Sequence, residues 1–494
     1  MTSDRVTPSF IAKKAERAKE LQRKSEAKAA RETAREAARE ARYAAIADKK
    51  RLSNLRKANK QRIRDREAIL RQATQQQHRL FYDDPRKTAL VDAWDKAETG
   101  SMLAKLAQVG KLILQGTPAS CYGPRKVYSL GNSASIQKLL STADKPEIYV
   151  LRDPAWLRSR EEQTLGQFLH TLGSKKHAGV EVAVQDLSRS EIDLAVCRME
   201  VKTCISRFRE SHGKASSRPV NLLNITCTAE VTPTPLNRHC RLLSEACTSL
   251  SIAGGALGID KPKARSSRPM DIESCQKFQI CGQAGAISSW HMDNLAPFTW
   301  VTLEGLEDGE DDENTLKYWA VVDLQSLSDT DRKKALQDFS RDGQDWMPPP
   351  SWIRIISLVR GDTLIMPPGT IHAPIAVTDC FFRGGMCWSP RFFVKYTLEN
   401  WEFISRNRDN VTNEDPAKQT KAVLAWIKSD LMLDPEKYGV QQADLPGIFS
   451  KMKTISDHSR TCCCKKNCAT NPSCACHSNG HKCMEDCSCC CLSA

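Results

Sequence analysis

Hydrophobic positions are paced very differently along the 494-residue chain. From about Ile11 to Leu80, Ala, Glu, Lys, Arg and Gln dominate, and neither Gly nor Pro occurs. Such residues lose little side-chain freedom in a helix, so a long helix is expected there. No apolar stripe recurs at heptad spacing, which favours a solvated charged helix or fluctuating arm over a stable coiled-coil seam. Within RETAREAAREAR, Glu32 stands three residues before Arg35 and gains i,i+3 charge support. Asp83-Asp84-Pro85 marks the first boundary, and 86–117 read as one or two further helices. Helical patterning returns at Arg158–Leu172 and near Glu191–Glu210.

From about Lys277 the period shortens. The runs FQICGQ, SSWHMD, FTWVTL, KYWAVVDL, IRIISLV, DTLIMP and FFRGGMCW are separated by turn residues. Short strands of this kind predict an antiparallel sandwich or barrel. LENWEFISRN and TKAVLAWIKSDLML then return to helix. The expected fold class is mixed α+β. Its parts are a basic helical arm (1–82), a helical or mixed region leading into the core (83–214), a strand-rich domain (215–400), C-terminal helices (401–460) and a Cys-rich tail (461–494).

Charge sharpens this division. Residues 1–80 hold 23 Lys and Arg against 10 Asp and Glu, leaving 50 basic and 49 acidic residues elsewhere. The net +14 therefore sits almost wholly on the arm, as expected for contact with DNA or another acidic polymer. The run KKRLSNLRKANKQRIRDR, Lys49 to Arg66, resembles the basic region of fungal bZIP transcription factors at Asn54, Ala58 and Arg62. No zipper follows, because the seven-residue positions after Leu70 are Gln77 and Asp84. Nonspecific, salt-sensitive phosphate contact is the expectation that remains. No apolar run is long enough for a bilayer, and MTSDRVTPSF lacks the apolar stretch of a secretory signal. Neither a membrane protein nor a secreted one is expected.

Candidate chemistry lies in the strand region. If SSWHMD is a strand, its alternation puts His291 and Asp293 on one face. His372, carried past the turn in MPPGTIHAP, would add a third ligand. Two histidines and a carboxylate form the facial triad of non-haem Fe(II) oxygenases, which leaves coordination positions open.

The order of HxD, Gly361-Asp-x-Leu-x-Met-Pro-Pro-Gly-Thr-x-His372 and Gly384-Gly-x-x-Trp388 resembles the JmjC (jumonji C) domain over roughly 215–400. That resemblance implies a double-stranded β-helix, or cupin-like jelly-roll, core with flanking helices. It implies iron on His291, Asp293 and His372, with 2-oxoglutarate as co-substrate. In Lys317-Tyr318-Trp319 it assigns Lys317 to the distal carboxylate of 2-oxoglutarate, across the acidic insertion 307–314. Arg383, eleven residues after His372, is the competing anchor. Thr299 is a hydroxyl position that assists the co-substrate, and Ser288 is a second candidate. The implied activity is hydroxylation, or demethylation through hydroxylation of an N-methyl group, of a chromatin-associated protein. A histone lysine is one candidate substrate and the nucleus the expected location. The alternative is a catalytically silent cupin scaffold that binds chromatin or DNA.

Eleven of the 21 cysteines fall in 462–491. Without a secretory signal, metal is a better explanation than a disulfide framework. The spacing of Cys462, Cys464, Cys468, Cys474, Cys476, Cys483, Cys487 and Cys489 resembles the CXC module of tesmin-type DNA-binding proteins. That resemblance implies nine thiolates on three Zn(II), with Cys490 or Cys491 as the ninth. Ser473 departs from the family's aromatic before the Cys-x-Cys pair, and a metallothionein-like metal buffer is the other reading.

Overall fold

The computed structural model describes residues 8–161, 163–174, 181–190, 196–211, 213–227, 229–256, 272, 274–306, 312–413, 419–459 and 474–481. The chain forms two compact units, Met1–Arg71 and Gln72–Ala494. The first is the greater part of one helix, Pro8–Tyr82, whose residues 15–66 are all exposed. Its charge support is local: Lys24 pairs with Glu20 at 2.6 Å, and Gln61 donates to Asp65 at 2.7 Å.

The second unit begins earlier than the sequence boundary at Pro85. The last three turns of that helix belong to it, because Ala73, Gln77, Leu80 and Phe81 are buried there. Thirteen strands follow among the described residues. They are β1 (Thr117–Pro118), β2 (Tyr128–Gly131), β3 (Ile148–Leu151), β4 (Glu181–Asp186), β5 (Val196–Glu200), β6 (Val220–Thr226), β7 (Phe278–Gly282), β8 (Phe298–Leu303), β9 (Leu316–Val322), β10 (Ile353–Val359), β11 (Thr363–Met366), β12 (His372–Ala376) and β13 (Cys380–Cys387). A nine-stranded sheet runs β2-β3-β11-β8-β13-β7-β6-β4-β5, and a four-stranded sheet runs β1-β10-β9-β12. Pairing is antiparallel except at β2/β3 and β1/β10.

The fold is therefore mixed α+β, with large antiparallel sheets. Residues 83–214 do more than lead into the core, since β1–β5 lie in its sheets. The expected helix near Glu191–Glu210 is β5 followed by a helix, Val201–Ser211. Both faces of the central strands are apolar because each has a covering layer. On β8, Phe298 and Trp300 pack with Ile136, Leu140, Trp156, Leu236 and Phe392 from helices outside the sheet. Thr299 and Val301 alternate to the other face. There the two sheets meet: the Lys317 Nζ of β9 lies 4.6 Å from the Phe382 ring centroid of β13.

SSWHMD is not a regular strand. Segment 287–291 touches β12 through two isolated bridges, Ile287 with Ile375 and His291 with His372. Beyond His291 the backbone leaves that edge. Leu295 and Ala296 take left-handed φ values of 66° and 43°, an uncommon conformation for side-chain-bearing residues.

Candidate metal centre

The triad assembles where segment 287–291 meets β12. His291 and His372 exchange both backbone hydrogen bonds at 3.0 Å, which places their rings side by side with centroids 4.2 Å apart. Asp293 arrives from the turn after His291, not from strand alternation, and brings Oδ1 to 3.7 Å from His372 Nε2. One ligand atom from each residue lies within 4.8 Å of the others. Both histidines are buried, and this is the one such cluster among the described residues.

The surrounding contacts orient each donor. His291 Nδ1 contacts the Ser289 carbonyl at 2.7 Å, and His372 Nδ1 contacts the Thr370 carbonyl at 3.0 Å. A carbonyl partner fixes the Nδ1–H tautomer and leaves Nε2 as the electron-pair donor. Thr299 donates to Asp293 Oδ2 at 2.5 Å, leaving Oδ1 turned toward His372. Trp319 stacks on the His372 ring at 5.6 Å and 15°, and its indole N–H donates to Met366 Sδ at 3.1 Å. Burial first, then the adjacent His372, pushes His291 down to about 4, against the opposing pull of Asp293 and the Ser289 carbonyl. A neutral imidazole is the form that binds metal. The donor set fits a divalent cation: two imidazole nitrogens and one carboxylate oxygen, each held in place by a second partner.

The two cation candidates separate. Lys317 lies on β9 two residues before Trp319, on the face that meets the opposite sheet, with its ammonium over Phe382 and Trp319. It is 7% exposed and has no carboxylate partner among the described residues. Burial lowers its pKa. Arg383 points to the other face of β13. Its guanidinium binds Glu304 at 2.9 Å and the Glu161 carbonyl at 2.6 Å, and Arg160 grips the same Glu304 at 2.5 and 2.9 Å. Arg383, the competing anchor, thus shares the Glu304 carboxylate with Arg160 on the face of β13 away from Phe382.

Thr299 sits in the site but spends its hydroxyl on Asp293. Ser288 is half-buried and hydrogen-bonds through its backbone N–H to the Pro374 carbonyl. Its hydroxyl makes no hydrogen bond among the described residues. Of the proposed zinc ligands, Cys474 and Cys476 are described and buried. Cys462, Cys464, Cys468, Cys483, Cys487, Cys489, Cys490 and Cys491 lie outside the described residues, as do 307–311 of the acidic insertion.

Met366, Ser289, Thr370 and Glu304 were not singled out as partners in the sequence. Met366 and Thr370 do lie inside the DTLIMP and MPPGTIHAP runs that frame His372. The Glu304 contacts had no sequence signal. Compared with known protein families and with curated proteins, the chain matches none.

Proposed function

We propose that the protein is an Fe(II)- and 2-oxoglutarate-dependent oxygenase of the JmjC type, acting on a chromatin-associated protein. The observation that carries this reading is the convergence of His291, Asp293 and His372 with a buried, carboxylate-free Lys317 on the same side of β9. Strand connectivity supports it. Taken in chain order, β7, segment 287–291 and β8–β13 form eight segments. Four are ordered β7-β13-β8-β11 in one sheet, and four are ordered 287–291-β12-β9-β10 in the other. That order supports reading the core as a double-stranded β-helix, the jelly-roll architecture of the cupins.

In this reading His291, Asp293 and His372 hold the iron, and Thr299 keeps the carboxylate turned. Lys317 binds the distal carboxylate of 2-oxoglutarate, a charge-assisted contact that gains strength where water is excluded. Trp319 and Phe382 flank the Lys317 ammonium. Iron with 2-oxoglutarate and O2 supplies oxidation of an unactivated C–H bond, coupled to decarboxylation of 2-oxoglutarate to succinate. When the carbon is an N-methyl group, the product loses formaldehyde and the amine is demethylated. The uncompensated basic run 49–66 on the exposed helix suits an acidic polymer such as DNA, in keeping with a nuclear site of action.

Anaerobic addition of Fe(II) and 2-oxoglutarate should give a visible charge-transfer band, and air should then release succinate even without substrate. Both signals should vanish in His291→Ala and Asp293→Ala. Their absence from the wild-type protein leaves the silent scaffold as the function, and their persistence in these variants removes the triad from the chemistry.

A further inference from the structure

Met292 lies between two of the three ligands, so the orientation of its peptide units decides whether His291 and Asp293 point together. Its backbone N–H donates to the Val411 carbonyl at 2.8 Å, and its side chain is buried. This contact holds a place where the backbone would otherwise relax. The next turn carries the left-handed Leu295 and Ala296, and such a turn persists when its surroundings over-determine it. One restraint is the Trp388 indole N–H on the Leu295 carbonyl at 3.2 Å. The Val411 carbonyl is another.

Val411 ends a four-residue helix, Arg408–Val411, which is too short to hold itself. It is pinned from outside. Arg408 Nη1 donates to the His458 carbonyl at 2.8 Å, and Asn410 Nδ2 donates to the Ser340 carbonyl at 2.8 Å. On the remaining side stands His481, which belongs to the cysteine-rich segment. Its Nε2 meets His458 Nδ1 at 2.7 Å, and its Nδ1 faces Asp409 Oδ2 at 3.5 Å. Asn479 Nδ2 fastens the same turn to the Asp457 carbonyl at 3.0 Å. His481 is only 5% exposed, and Cys474 and Cys476 are buried in this turn with it.

We propose that the His458–His481–Asp409 contact braces the metal triad, which makes His481 a positioning residue for His291 and Asp293. The path is continuous: the cysteine-rich turn holds Asp409, the short helix carries Val411, and Val411 fixes Met292. The turn 474–481 is thereby linked to metal affinity in the β-sheet core. The inference rests on the metal reading of the triad given above.

Mn(II) is a suitable probe, because it favours imidazole and carboxylate donors and leaves thiolates to softer metals. The full-length protein is titrated with Mn(II) and followed by electron paramagnetic resonance. Wild type should bind at the triad, and His291→Ala should abolish that binding. His481→Ala and Asp409→Asn should each weaken it by roughly two- to thirty-fold, the range for residues coupled to a site through intervening contacts. His481→Gln, whose amide can still reach both neighbours, should recover most of the loss. Near-UV circular dichroism checks packing, and if His481→Ala unfolds, the milder Asp409→Asn decides. Wild-type affinity in a folded Asp409→Asn, or in a folded His481→Ala, overturns the brace alone. No Mn(II) binding by wild type, or binding that survives His291→Ala, overturns the metal reading and the brace with it.

Discussion

Each donor of the triad is useful because a second residue holds it. Asp293 has two equivalent oxygens, and Thr299 makes them different by occupying Oδ2. Thr299→Val should therefore weaken Mn(II) binding by roughly ten-fold or more while leaving the melting temperature within a few degrees, measured by titration and by thermal unfolding. The Lys317 and Arg383 assignments can be separated in the same way. On the proposed oxygenase reading, Lys317→Met should raise the KM for 2-oxoglutarate at least ten-fold in a succinate assay. Glu304→Ala leaves Arg160 and Arg383 buried without their carboxylate and should cost about 3–5 kcal/mol in denaturant unfolding. Asp379 is the opposite case, a buried carboxyl with too few partners. Burial pushes it up to about 6, against the Ala284 N–H and the Ser211 hydroxyl. Its folded pKa is raised, so the fold favours the protonated form. Its contribution to stability is intact below about pH 4 and falls as pH rises toward 6, by roughly 3 kcal/mol in all. Asp379→Asn should raise the melting temperature at pH 7.5 and change it little at pH 4. An equal effect at both pH values contradicts this account.

At the scale of elements, the long helix has two parts with different duties. Up to Arg71 it is solvated. From Gln72 it completes the body: Gln77 donates to the Ser357 carbonyl at 2.8 Å and accepts from the Ser357 N–H at 2.7 Å, standing in for a neighbouring strand on β10. The Tyr318 hydroxyl donates to the Leu80 carbonyl at 2.8 Å, behind the β9 face that carries Lys317. Removing 1–71 should leave the melting temperature of the remainder unchanged. Phe81→Ala should cost about 3–5 kcal/mol, because it opens a cavity against Tyr318. The helix itself was legible, since residue-by-residue preference and the lack of Gly and Pro carry that information locally. The place where it stops being an arm was not. Ala73, Gln77, Leu80 and Phe81 are too sparse to look like a core stripe until the sheet edge they cover is known. SSWHMD failed for a related reason: a strand is defined by its partner, and this segment finds only two bridges before Val411 draws Met292 away.

Over the whole molecule, charge and chemistry occupy separate parts of the chain. The arm carries a surplus of 13 positive charges within residues 1–80, and the body is nearly neutral. Binding to a DNA duplex, followed by fluorescence anisotropy, should weaken steeply with salt, because each neutralised phosphate releases counterions. Removing 1–71 should abolish most of that slope and, on the proposed oxygenase reading, leave succinate formation intact. A slope that survives the truncation assigns the nucleic-acid contact to the body or the cysteine-rich tail.

The sequence alone determined what depends on neighbours along the chain. That covers the helical arm, the strand runs from Phe278 to Cys387 other than SSWHMD, and the presence of two histidines and one aspartate along that stretch. Tertiary structure decided what depends on which face of an element is turned inward. Strand alternation splits Lys317 from Tyr318 and Phe382 from Arg383, but it does not say which member of each pair meets the opposite sheet. The packing of β9 against β13 turns Lys317 and Phe382 toward each other, while Glu304 and Arg160 take Arg383 on the far side. Arg383 finds its carboxylate in Glu304, far away along the chain, whereas the Lys317 ammonium lies beside the Phe382 and Trp319 rings.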